Sequence, residues 1–172
     1  MTRESDPGYM GSLDEWDSSW EAIGAFDAVR RIVDVFGATN VFLVSKVKPG
    51  GSMHRRMEQW MHETVKLCDT TGLLKENIVF VRSVNGPTGK GAAALQLGLS
   101  HFVDDKIEVL TSLWEDEAGN VRHLVERHNG LLFHFAKGGW GSRPPHVEQG
   151  QMAPMMRRHY RGVANWDELL EQ

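Results

Sequence analysis

The sequence predicts an α/β fold with a mainly parallel sheet. Short apolar runs at Val41–Val44, Ile78–Val81, Leu99–Val103 and Leu131–Phe135 have the length and character of buried parallel strands. Segments of helical period separate successive runs, and strands alternating with helices imply a parallel sheet joined by crossovers. Size agrees with one domain: 172 residues, 41% of them hydrophobic, suffice for one real core but not for two comfortable ones.

In chain order, residues 1–19 are polar, acidic and aperiodic, and read as an arm. Residues 20–172 form the expected single domain. Trp20 to Phe36 is a predicted helix, because Ile23, Phe26, Val29, Ile32, Val33 and Phe36 share one face and Gly37 stands where a C-terminal cap belongs. The strand that follows ends at Ser45. Pro49-Gly-Gly51 breaks the chain, and a helix runs from about Met53 to Cys68 with Met57, Trp60, Met61, Val65 and Cys68 inward. After Ile78–Val81, the loop Asn85 to Gly89 opens a helix carrying Ala92 to Leu97. Leu99–Val103 is a strand, Ile107 to Trp114 a helix and Leu131–Phe135 a strand. Lys137 to Gln151 is rich in Gly and Pro and reads as a long loop. Tyr160 to Val163 is a last strand, and Asn165 caps a closing helix to Leu170.

Composition narrows the function classes. A net charge of −4 argues against a general nucleic-acid binder. The single cysteine, Cys68, rules out an internal disulfide and a cysteine zinc site, and points to a reducing, cytoplasmic setting. No apolar run approaches membrane-spanning length, and no basic-then-apolar leader opens the sequence.

The chemistry gathers at the carboxyl ends of strands, where open α/β sheets bind ligands. Ser45 ends one strand and Lys90 opens a helix. Asp104 and Asp105 end another strand in Phe102-Val-Asp-Asp105. Adjacent carboxylates repel unless a cation or donor lies between them. Mg²⁺, which prefers oxygen ligands, suits that pair, and the upstream lysine can hold an anion beside the metal. The expected partner is a phosphorylated ligand or substrate.

These three features, in this order, resemble motifs two, three and four of the haloacid-dehalogenase-like (HAD) superfamily. Gly24-Ala-Phe-Asp-Ala-Val-Arg-Arg31, Val44-Ser-Lys46 and Gly98-Leu-Ser-His-Phe-Val-Asp-Asp105 resemble its phosphatase branch. Asn165-Trp-Asp-Glu-Leu169 resembles the closing helix of some members. The resemblance implies a Rossmann-like three-layer sandwich and Mg²⁺-dependent hydrolysis of phosphate esters. In that scheme Ser45 hydrogen-bonds a phosphate oxygen. Lys90 stabilises the charge on the phosphoryl group and nucleophile. Asp104 or Asp105 binds Mg²⁺ directly or through water.

One part of the pattern is missing. The family's nucleophile is the first aspartate of an Asp-x-Asp-x-Thr motif on its first strand, and no such motif occurs here. Asp14-Glu-Trp-Asp17 has the wrong spacing and follows no strand. Two accounts follow. Met1-Thr2-Arg-Glu directly follows a lost first strand, with Thr2 near the place of the motif's threonine. Alternatively, the protein is a degenerate relative with a binding or assembly role. On either account the sheet lacks a central strand, and a swapped segment, a partner's strand, a homo-oligomer or a rearranged sheet has to supply its hydrogen bonds.

Four other groupings carry less. Gly86-Pro-Thr-Gly-Lys90-Gly91 resembles a P-loop, but Val84 and Gly91 stand where Gly and Ser or Thr belong. His54, Glu58 and His62 share a helical face, most simply a solvated one. His123 and His128 lack ligand spacing, and Cys68 lacks a basic activator. Lys137, Trp140, Arg143, His146, Arg157, Arg158, His159, Tyr160 and Arg161 interleave basic and aromatic residues, which leaves nucleic-acid contact open at that loop only.

Overall fold

The computed structural model describes residues 23–84, 86–115, 124–136 and 152–172. These form helices α1 (Ala25–Phe36), α2 (Ser52–Gln59), α3 (Leu67–Thr71), α4 (Lys90–Leu97), α5 (Ile107–Trp114), α6 (Leu124–Arg127) and α7 (Trp166–Leu170). The strands are β1 (Leu43–Lys46), β2 (Ile78–Val81), β3 (Phe102–Asp104), β4 (Leu132–Phe135) and β5 (Tyr160–Val163). Among the described residues β1 and β2 make a two-stranded sheet, and β3, β4 and β5 make a three-stranded sheet in that order. Both pairings of the larger sheet are parallel, with Asp104 opposite His134 and His134 opposite Gly162. The class is therefore α/β with short parallel strands, as expected. No helix among the described residues is long and apolar enough to cross a membrane.

The chain divides into two compact units, each described by itself. The first holds the described residues to Leu43 together with Gly50–Val79. Its helix α1 is framed by glycines: Gly24 and Gly37 both take positive φ, and the Gly37 N–H bonds back to the Val33 carbonyl. Ala28 and Val33 are buried on its inner side, with Met61, Val65, Leu67 and Leu73 elsewhere in the unit's core. The helix expected from Met53 to Cys68 is interrupted. α2 gives way to a five-residue π-turn at Trp60–Thr64, then Lys66 adopts the left-handed conformation and α3 begins. Asn77 ties the unit together, since its Nδ2 donates to the carbonyls of Ala38 and Val41, each at 2.9 Å.

The second unit, Val44–Pro49 with Phe80–Gln172, carries the three-stranded sheet. Side chains alternate across a strand, so Phe102 and Leu132 lie on one face of that sheet and Phe133 and Phe135 on the other. The first face joins a core of Ala94, Val109, Leu110, Leu113, Trp114 and Met156. Burying each large apolar side chain contributes about 1.5–3 kcal/mol. On the opposite face the rings of Phe135 and Trp166 lie 4.6 Å apart, which brings α7 against the sheet. Asn165 caps α7 as expected. Its Oδ1 accepts from the Glu168 N–H at 2.9 Å, while Glu168 Oε2 accepts from the Ala164 N–H at 2.7 Å, a reciprocal arrangement that satisfies main-chain donors on both sides of the cap.

The predicted bounds of α5, β2 and β5 agree with the structure. The first strand sits two residues later than its apolar run. Trp20, the arm at 1–19 and the loop at 137–151 lie outside the described residues. So do Asp116 to His123, and with them His123 of the histidine pair.

Candidate functional site

The site is built from the loop before α4 and the turn after β3. Ser83 and Thr88 hydroxyls lie 2.9 Å apart across that loop, the Gly89 N–H bonds to the Gly86 carbonyl, and the Lys90 N–H bonds to the Val84 carbonyl. Gly86 has φ of 79°, a conformation that costs a residue with a Cβ more than it costs glycine. The loop therefore delivers Lys90 as the first residue of α4. Gly91 has a packing reason. A Cβ there would stand 2.5 Å from the Ser112 hydroxyl and 2.6 Å from its carbonyl oxygen, so only glycine lets α4 and α5 approach this closely. That contact explains the departure from the P-loop pattern at Gly91, where the P-loop has Ser or Thr.

Lys90 Nζ donates to Asp104 Oδ2 at 2.6 Å. The lysine side chain is 18% exposed and the carboxylate 3%, so the pair is largely withdrawn from water. A cation at a helix start opposes the helix dipole, and here a carboxylate offsets it. The other oxygen, Oδ1, accepts from the Lys106 main-chain N–H at 2.9 Å. An aspartate bonding two residues ahead closes an Asx-type turn, and this turn leads directly into α5. Burial pushes the Asp104 carboxyl above its ordinary range. The hydrogen bond and charge of Lys90, and then the Lys106 N–H, pull in the opposite direction.

Two of the four expected site residues are thus in direct contact, although 14 positions separate them in sequence. Asp105 follows Asp104 and is exposed. Ser45 is half-buried in β1 and belongs to the same compact unit as Lys90 and Asp104.

The sequence reading missed His134. It is 7% exposed and sits in register beside Asp104. Its Nδ1 lies 2.9 Å from the Tyr160 hydroxyl, and the two rings meet edge to face at 5.9 Å. Burial lowers the ionisation of His134 below the ordinary histidine value, against the opposing pull of the Asp105 main chain and the Asp105, Asp104 and Glu108 carboxylates. Burial likewise pushes the Tyr160 phenol up to about 12. A signal was present: His134 is the one polar residue in Leu131-Leu-Phe-His-Phe135, near the strand's carboxyl end.

Among the described residues, no group of three or more His, Cys, Asp or Glu side chains is placed to hold a metal ion. Asp104 and Asp105 are the carboxylates expected to meet a metal; Asp104 is buried against the Lys90 ammonium and Asp105 is exposed. Mg²⁺ commonly takes one or two carboxylates and fills its shell with water and phosphate oxygens. Each Asp104 oxygen accepts one hydrogen bond and keeps a lone pair.

The remaining groupings resolve simply. His54 and Glu58 pair at 3.2 Å across one helical turn. Cys68 is half-buried, with its thiol raised first by burial and then by Asp69, so it lacks the depressed ionisation of a reactive cysteine. In the C-terminal basic stretch Arg157 and Arg158 are exposed, while His159 is buried, its ring 5.4 Å from that of Trp114.

Fold and site together define an α/β protein with a buried ammonium–carboxylate couple at the carboxyl edge of a parallel sheet. No protein-family model, no curated protein and no solved structure matches the chain.

Proposed function

We propose that this chain is a phosphate-handling domain of the HAD phosphohydrolase type, with a Rossmann-like sandwich and its ligand site at the strand edge. The observation that carries the reading is the 2.6 Å contact of Lys90 with Asp104. Withdrawing two charges from water costs several kcal/mol per ion, and hydrophobic residues of like volume would be as stable. Such a pair at a ligand-binding edge is explained by a ligand that needs it. In this reading Lys90 neutralises phosphate oxygens, the Ser45 hydroxyl donates to one of them, and Asp104 with Asp105 would hold Mg²⁺. When bound, Mg²⁺ would supply positive charge against a phosphoryl group. Asp104 also holds the Lys90 ammonium in place before the ligand arrives.

The sequence supplies no Asp-x-Asp-x-Thr motif, and a carboxylate nucleophile has to be held in line with phosphorus. That observation favours the second form of the proposal: a non-enzymatic module that binds a phosphorylated ligand without hydrolysing it. Titration of the purified protein with inorganic phosphate, with and without Mg²⁺, tests the site. Saturable binding strengthened by Mg²⁺ and lost in Lys90→Ala is expected, with no turnover of p-nitrophenyl phosphate. Equal binding by wild type and Lys90→Ala, or none by either, overturns the proposal. Turnover abolished by Asp104→Ala would replace the binding form with the enzymatic one.

A further inference from the structure

The contact of Lys90 with Asp104 neutralises the site before any ligand arrives. Each charge is the other's partner: Lys90 Nζ lies 2.6 Å from Asp104 Oδ2, with the carboxylate side chain 3% exposed and the lysine side chain 18% exposed. A phosphate that takes Lys90 leaves a buried carboxylate without its cation. A divalent cation that takes Asp104 leaves an ammonium without its anion, in surroundings largely withdrawn from water. Breaking a buried pair from one side only is strongly unfavourable. Neither ion alone therefore suits this site as well as the two together.

The two bonds of Asp104 differ in how readily they change partner. Oδ1 accepts from the Lys106 main-chain N–H at 2.9 Å, inside the turn that runs from the end of β3 at Asp104 to the start of α5 at Ile107. Exchanging that bond means rebuilding the turn. Oδ2 is held by the tip of a flexible side chain, which moves away by rotamer changes alone. Lys90 is also the first residue of the eight-residue α4, where a cation is unfavourable unless an anion offsets it. Asp104 is that anion at rest, and a phosphate can take its place. The exposed Asp105 supplies a second carboxylate at the same turn.

From this geometry we infer that the Lys90–Asp104 pair is a latch, opened by a divalent cation and a phosphate group together. Lys90 passes from the Asp104 carboxylate to the phosphate as that carboxylate accepts the cation. The ligand class is accordingly a phosphorylated compound bound as its divalent-cation complex, rather than the free anion. The two affinities are then coupled, and by linkage each ion raises the other's by the same factor. The inference rests on the phosphate reading for the identity of the anion; the latch itself is measurable with Mg²⁺ alone.

Calorimetric titration of the whole protein with inorganic phosphate and with magnesium chloride, each with and without the other at constant ionic strength, tests the coupling. Each ion should tighten the other's binding about tenfold, and by equal factors. Asp104→Asn removes the negative half of the latch. Without Mg²⁺ it should bind phosphate more tightly than wild type does, and added Mg²⁺ should change nothing. An aspartate that served only as a metal ligand would instead leave this variant at the metal-free affinity of wild type, and that result overturns the latch. Lys90→Met, with no ammonium to displace, should bind Mg²⁺ alone more tightly than wild type. Competitive acetylation of wild type, read by peptide mass spectrometry, needs no substitution. Labelling of Lys90 relative to the exposed Lys66 and Lys75 should rise with Mg²⁺ and saturate. If Asp104→Asn fails to fold, this measurement decides: Lys90 labelling unmoved by Mg²⁺ overturns the latch. The two readings fail separately. No phosphate binding under any condition, with Lys90 labelling still raised by Mg²⁺, removes the phosphate site and keeps the latch. Phosphate binding strengthened by Mg²⁺ with Lys90 labelling unmoved removes the latch alone.

Discussion

The two compact units bury polar side chains for different purposes. In the first, Thr71 and Asn77 bond to main-chain carbonyls: Thr71 Oγ1 donates to Leu67, and Asn77 Nδ2 donates to Ala38 and Val41. These bonds satisfy the backbone and ask for no ligand. In the second unit, Asp104 pairs with the Lys90 side chain, and His134 with the Tyr160 side chain. Among the described residues there, His159 follows the first pattern, with its ring Nδ1 donating to the Gly130 carbonyl at 2.9 Å. Buried polar groups that serve each other are costly to assemble, and incomplete networks are worse than apolar packing. Their concentration at one strand edge marks where the ligand site is proposed.

Four substitutions or conditions sharpen that comparison. Lys90→Met should cost most, about 3 kcal/mol near neutral pH, because it leaves a buried carboxylate unpaired. Asp104 can then relieve itself by taking up a proton. Burial already raises its ionisation, so the deficit relative to wild type should shrink as pH falls; denaturant titrations at several pH values measure it. Asn77→Ala in the first unit should cost about 2 kcal/mol, since two carbonyls lose a shared donor. That loss should not vary with pH, because an amide does not titrate. A pH-dependent Asn77→Ala deficit, or a pH-independent Lys90→Met deficit, would erase the distinction between the units.

His134 gives a third test. Its ionisation is lowered from 6.5 in the fold, so the folded state binds its proton more weakly than the unfolded chain does. The stability it contributes is complete above the unfolded value and is lost as pH falls through 6.5 toward the lower folded value. The slope for one proton is at most about 1.4 kcal/mol per pH unit. Thermal midpoints between neutral and mildly acidic pH should fall in wild type and flatten in His134→Gln. Last, Asn165→Ala should cost about 1 kcal/mol, the usual worth of an N-cap. It bonds a main-chain N–H within the second unit, so by chemistry it belongs with Asn77, and its loss should likewise be independent of pH.

Local pattern made much of this legible. Ile107–Trp114 carries an unbroken helical period, and the structure begins and ends α5 there. Asn165 followed three residues later by Glu168 is a cap signature that the structure reproduces. The helix expected from Met53 to Cys68 shows the limit. Its apolar spacing continues through the interruption, and nothing in that spacing announces a π-turn or a left-handed Lys66. Those states are set by how the segment packs, which overrides the local preference of lysine for other backbone angles. The apolar run after α1 begins two residues before the strand itself, because an apolar run reports burial while a strand is defined by its hydrogen-bonded neighbour.

The site divides in the same way. Lys90 and Asp104 were legible because residue type and position relative to a strand end are both local facts. His134 was hidden in an apolar run, and its importance depends on register: it matters because β4 lies parallel to β3 with His134 opposite Asp104. Sequence alone determined the alternation of strands and helices, the capped closing helix and the supply of an ammonium and two carboxylates at strand ends. Only the tertiary structure decided that the ammonium meets the first carboxylate, that glycine at position 91 lets the two helices close on each other, and that a histidine bonded to a tyrosine lies in register with that carboxylate. The reason is physical: periodicity and capping act over one or two turns of chain. Pairing between strands and helix crossing act between segments that share no local pattern.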